Sequence, residues 1–256
     1  MNAPPGGGGA PLLEVRGLHK AFGGLRVTDD ISFDLAAGIV TTLVGPNGAG
    51  KTTLFNQITG EAAPDAGSIR LRGESLLGLA PWQVARRGVA RSFQDLRLFS
   101  HMTVRDNLLT TMEPAAWLWQ PGGAALRRQR LDRVAEVLDA TGLQALADAR
   151  AIDLSYAQRK FLSLARVMAP RAPIWLLDEP ASGLDRGSYE RFLRLLRDAV
   201  RGGVTVCMIE HNLDIVSGAS DRVLFLDRGR LLADGTPAAV LGDPALAAIY
   251  FGERAA

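Results

Sequence analysis

Residues 40–60 read VTTLVGPNGAGKTTLFNQITG, and no other stretch limits the possible folds so strongly. An apolar run ends in glycine, a glycine-rich turn follows, and KTTLFNQITG shows helical spacing with a glycine stop. The order is strand, tight loop, helix. Within it, Gly45-Pro46-Asn47-Gly48-Ala49-Gly50-Lys51-Thr52 fits G-x-x-x-x-G-K-[ST] in full. Glycines let such a backbone curl until successive N–H groups point at phosphate oxygens, and the helix N-terminus adds a favourable dipole. Lys51 is then expected to reach the β- and γ-phosphates of a nucleotide, and the Thr52 hydroxyl to ligate Mg²⁺.

Such a loop needs a second strand ending in acid. Ile174-Trp175-Leu176-Leu177-Asp178-Glu179 supplies it, with four apolar residues before two carboxylates and Pro180 after them. Asp178 is expected to hold the magnesium through water, and Glu179 to act as general base towards an attacking water. Together the two segments predict ATP binding.

The remaining chain supports a largely parallel α/β sheet. LLEVRGL and ISFDL alternate like half-buried strands, and SIRLRG reads as a short strand. After Pro170 come the strand PIWLLD, the helix YERFLRLLRDAV, the strand VTVCMIEH and the hairpin-like RVLFLDRGRLLADG. Between about 95 and 168 the pattern changes to helices and loops. There LDRVAEVLDATGL is expected to place Leu131, Val134 and Leu138 on one face and to stop at Gly142. WLWQPGGAAL reads as a surface break, its Trp117 and Trp119 as local packing. No internal repeat is visible.

Composition excludes several functions. At 256 residues and 47% hydrophobic, the chain can bury one large core or two joined lobes. A net charge of +2 offers no strong field for nucleic acid. Lysine occurs only at 20, 51 and 160. Cys207 stands alone in an apolar strand, which excludes an internal disulfide and suits a reducing compartment. The start, MNAPPGGGGAP, lacks a signal-peptide pattern and reads as a disordered tail over residues 1–11. No run approaches the ~18 apolar residues of a membrane span.

LSYAQRK, residues 154–160, opens another helix-patterned run. Ser155 and Gln158 form an S-x-x-Q capping box, a helix start that can also face phosphate.

With these residues in place, the chain resembles the ATP-binding subunit of an ABC transporter along nearly its whole length after residue 11. The resemblance implies an ABC-type P-loop NTPase: a RecA-like core, an N-terminal antiparallel β subdomain and an inserted helical subdomain near 95–168, all within one domain over 12–256. It implies that Phe22 stacks on adenine, and that Gln94 is the Q-loop glutamine, touching Mg²⁺ and linking the site to the membrane subunit. Ser182-Gly183-Leu184-Asp185 matches the D-loop, and His211 matches the switch histidine that contacts the γ-phosphate. Ser155, Tyr156, Ala157 and Gln158 match the signature, typically LSGGQ, with glycine absent at 156 and 157. Tyrosine at 156 is frequent in the branched-chain amino-acid branch, whereas Ala157 departs from the pattern. A negative φ there would cost alanine nothing; a positive one would strain it.

FGGLRVTDDISFDL, ARSFQDLRLFSHMTVRDNL, MIEHNLDIV and ALAAIYFGE resemble the LivG-type subunits of branched-chain amino-acid importers. Relatives serving urea import or lipopolysaccharide export share these motifs, and soluble ABC ATPases remain a more distant alternative. The resemblance implies two such subunits head to tail, each ATP lying between Gly45–Thr53 of one and Ser155–Gln158 of the other. It further implies permease subunits, a second ATP-binding subunit (a heterodimer, or a homodimer), an external substrate-binding protein and a peripheral place on the cytoplasmic face of the inner membrane. The short stretch after the last strands leaves no room for a regulatory domain of ~100 residues.

Overall fold

The computed structural model describes residues 11–112 and 123–252. Trp117, Trp119 and nearly all of the expected N-terminal tail lie outside those residues. Strand β1 (Leu13–Phe22) turns at Gly23-Gly24 into β2 (Leu25–Leu35), so ISFDL is only the end of an eleven-residue strand. Then come β3 (Val40–Val44), α1 (Lys51–Ile58), β4 (Ala66–Leu71) and β5 (Glu74–Ser75). β2-β1-β4-β5 form one antiparallel sheet.

Next follow α2 (Pro81–Arg87), β6 (Val89–Arg91), α3 (Val104–Met112), α4 (Gly123–Thr141) and α5 (Tyr156–Met168). The chain re-enters the core as β7 (Ile174–Asp178), α6 (Arg186–Arg201), β8 (Thr205–Ile209) and α7 (Leu213–Ala219). It closes with β9 (Arg222–Asp227), β10 (Arg230–Gly235), α8 (Pro237–Leu241) and α9 (Pro244–Gly252). The second sheet has the order β10-β9-β3-β8-β7-β6 and is parallel except for the edge pair β9–β10. The α/β class, the antiparallel sheet and the helical insertion agree with the sequence.

Both faces of the parallel sheet are covered, so its inner strands β3, β7 and β8 are buried from end to end. β7 divides its side chains by the period of two. Trp175 and Leu177 join the core built with α3, α4, α5 and α6, whereas Ile174 and Leu176 face α1 and the antiparallel sheet. The helical segment therefore shares a core with the sheet rather than forming a separate one. On α4 the expected stripe is displaced. Val134, Val137 and Leu138 are buried, but Leu131 is 38% exposed. Three residues from Val134, Leu131 lies on the flank of the helix, where the covering layer has already ended.

Two arginines join the sheets. Arg222, 5% exposed, holds Asp234 with both ends of its guanidinium and donates to the Asp34 carbonyl of β2 at 2.7 Å. Arg230 grips Asp29, whose N–H donates to the Gly229 carbonyl at 2.8 Å.

Candidate nucleotide-binding site

In a parallel sheet, ligands bind beyond the carboxyl ends of the strands, where loops and helix N-termini converge. β3 delivers the glycine loop there, β7 delivers Asp178 and Glu179, β8 leads to Glu210 and His211, and β6 leads to Gln94. One concave site is lined by Gly45, Pro46, Asn47, Gln94, Glu179, His211 and Tyr250.

The loop can take this course only with glycine at two tight positions. A Cβ on Gly45 (φ 147) would lie 1.9 Å from the Leu226 carbonyl oxygen. On Gly50 (φ 101), which caps α1, it would lie 2.3 Å from that of Val27. Asn47 and Gly48 at the tip are exposed, while Ala49 is buried. Thr52 is exposed on the first turn of α1, with Thr53 half-buried beside it. Lys51 folds back over its own loop, its Nζ donating to the Gly45 and Pro46 carbonyls at 2.7 and 2.8 Å. Burial pushes this ammonium below the usual lysine range, against the pull of Glu179 and Asp178. Phosphate oxygens would offer that charge stronger acceptors than two carbonyls do.

Asp178 is 2% exposed, and burial raises its carboxyl above the usual range despite the Arg91 guanidinium 3.6 Å from Oδ2. Its Oδ1 has no hydrogen-bond partner. A buried orphan acceptor is expensive unless something satisfies it, and a hydrated cation does so. Among the described residues no group of three His, Cys, Asp or Glu could hold a metal unaided. Mg²⁺ in nucleotide sites needs no such cage, because one or two protein oxygens, phosphates and water complete its shell. The donor set therefore fits.

Glu179 follows with a left-handed backbone, φ 48. Its Oε1 lies 2.5 Å from His211 Nε2, joining the ends of β7 and β8. Glu210, next to His211, is buried and accepts from the Ala181 N–H at 3.0 Å.

The remaining expected residues lie elsewhere. Phe22 is 53% exposed at the hairpin between β1 and β2, so it is no core residue, and the Lys20 ammonium lies over its ring, 5.3 Å from the centroid. Ser155 caps α5, accepting from the Gln158 N–H at 3.3 Å while Gln158 Oε1 accepts from the Ser155 N–H at 2.8 Å. Ala157 sits in the first turn of α5 and is absent from the positive-φ residues, which removes the strain its methyl could have caused. Asp185 caps α6 by accepting from the Ser188 N–H and hydroxyl, bonds that hold its carboxyl below the usual range.

Sequence reasoning missed Tyr250, whose hydroxyl donates to the His211 carbonyl at 2.5 Å from the distant helix α9. It also missed Arg91 beside Asp178, since neither carries a local signal.

A phosphate-binding loop on a parallel strand, facing an acidic strand end and a histidine, defines a P-loop nucleotide-binding protein. Residues 28–182, more than half the chain, match the family described as ABC transporter, and the chain belongs to that family as one of its ATPases. It is 38% identical over 251 residues to the high-affinity branched-chain amino acid transport ATP-binding protein LivG of Salmonella typhimurium, covering 95% of this chain and 98% of that one. Against the corresponding protein BraF of Pseudomonas aeruginosa it is 38% identical over 252 residues, with the same coverage. A crystal structure of an ATP-binding cassette of an ABC transporter in its ADP conformation superposes with a TM-score of 0.83 at 27% identity, covering 95% of this chain and all of that one.

Proposed function

We propose that this chain binds and hydrolyses ATP to energise an ABC importer of branched-chain amino acids. The observation that carries the reading is the pairing of Glu179 with His211, across from the Gly45–Asn47 loop. The loop N–H groups and Lys51 would hold the phosphates, with Phe22 stacking on the adenine. Thr52, Gln94 and Asp178 would hold Mg²⁺, whose charge would neutralise the phosphate oxygens. Glu179 accepts the proton of the attacking water, and His211 orients that carboxylate while facing the γ-phosphate.

Ser155–Gln158 and Asp185 lie outside this lining, as the head-to-tail pair requires. A signature capped by Ser155 presents the α5 N-terminus to the nucleotide of a second ATP-binding subunit. Hydrolysis removes the γ-phosphate that holds the pair closed, and the pair reopens. No helix among the described residues is long and apolar enough to cross a membrane. In this reading the membrane step falls to permease subunits, with this chain peripheral on their cytoplasmic side and contacting them near Gln94. Similarity to LivG and BraF supports the substrate class; a second, similar ATPase as partner belongs to the same proposal.

Two experiments test this. Glu179→Gln should abolish turnover while ATP binding persists; unchanged turnover would remove Glu179 as the base. Tagged chain recovered from detergent-solubilised membranes of its host should bring down two permeases and a second ATPase, whereas recovery of soluble partners alone would sink the transporter reading.

A further inference from the structure

Lys160 lies on α5, just past the signature, and it does not reach for solvent. It is 6% exposed, and its Nζ donates to the main-chain carbonyl of Glu179 at 2.7 Å. Burial disfavours its charge, and the carboxylates of Glu210, Glu179 and Asp178 offset that. A buried ammonium persists only where such compensation exists.

Its acceptor is a residue whose backbone needs holding. The left-handed φ of Glu179 is disfavoured for any residue with a side chain, and it persists only when surrounding contacts determine it. The Glu179 N–H donates to the Ile209 carbonyl at 3.0 Å, the carboxylate meets His211, and Lys160 takes the carbonyl. β8, the histidine and α5 thus fix the residue from three sides. The same helix grips the next turn of chain. Tyr156 donates its hydroxyl to the Ser182 carbonyl at 3.3 Å, and its ring lies so near Gly183 that a Cβ there would come within 2.9 Å of it.

We propose that Lys160 is a positioning residue for ATP hydrolysis, clamping the Glu179 carbonyl so that the aim of its carboxylate depends on where α5 sits. The inference rests on reading Glu179 as the base. Because the N-terminus of α5, about one turn before Lys160, faces the second subunit's nucleotide in that reading, closure around one ATP is felt by the base acting on the other.

The test uses the assembled transporter purified through a tag on this chain, with Lys160→Met, Lys160→Arg and Glu179→Gln. Lys160→Met should lower maximal turnover by roughly ten- to a hundredfold, the scale of a misplaced catalytic group, and leave half-saturating ATP within about twofold. Lys160→Arg, which keeps donor and charge, should restore most of the rate. Wild-type turnover in Lys160→Met overturns the clamp. So does a Lys160→Arg variant that stays as slow as Lys160→Met while ATP affinity and melting temperature fall together, since that pattern marks a merely structural lysine. Full turnover in Glu179→Gln overturns the base assignment, and the clamp with it; an inactive Glu179→Gln beside an active Lys160→Met overturns the clamp alone.

Discussion

Two residues at the site carry predictions of opposite character. Ala157 stands where glycine is usual, yet it lies in helical backbone and caps nothing. Ala157→Gly should therefore change turnover less than about twofold and lower stability by about 0.5–1 kcal/mol through added backbone freedom, as paired turnover and denaturation measurements would read. A many-fold rise in turnover would instead show that the alanine methyl obstructs the site. Glu210 gives a pH dependence. Burial pushes its carboxyl from 4.5 up to about 7, so between those values the folded chain holds a proton that the unfolded chain has released. Stability should fall as pH rises through that window, by roughly 3 kcal/mol from this group, and Glu210→Gln should flatten the slope. Melting curves between pH 5 and 8 decide it, and parallel curves for both proteins would refute the assignment. Cys207, by contrast, is inert: complete burial pushes its thiol up to about 12.

At the scale of elements, legibility followed sequence distance. The glycine loop, the acidic strand end and the Ser155 cap are contiguous, and each could be placed from its own letters. Contacts made across the fold could not. Lys160 meets Glu179, Tyr250 meets His211 and Arg91 meets Asp178 only because parallel strands bring distant loops to one edge. Leu131 shows a different failure, since periodicity gives the direction of a helix face but not where its covering layer stops. The joint between the sheets was equally hidden, and it can be tested. Arg222→Met would leave Asp234 without its guanidinium and the Asp34 carbonyl without its donor. Breaking a buried pair costs about 3–5 kcal/mol, and because Asp234 stays partly exposed a loss of about 2 kcal/mol is expected in denaturant unfolding. A change under about 0.5 kcal/mol would show that β9 and β2 hold together without it.

At the scale of the molecule, half of each proposed ATP site belongs to another subunit. With hydrolysis blocked by Glu179→Gln, ATP should therefore shift the complex of this chain and the proposed second ATPase towards the closed pair in sedimentation, and ADP should not. An equal response to both nucleotides would contradict the γ-phosphate switch. The scarcity of lysine has a separate, practical consequence. Lys51 is 7% exposed and Lys160 6%, while Lys20, the third, is tied to Asp65 at 2.7 Å. Amine acylation of the folded protein thus meets few competing lysines, Lys20 alone being partly exposed. Mass-resolved labelling at Lys51 and Lys160 becomes a footprint, one site recording when the Lys51 ammonium leaves its loop carbonyls and the other when α5 lets go.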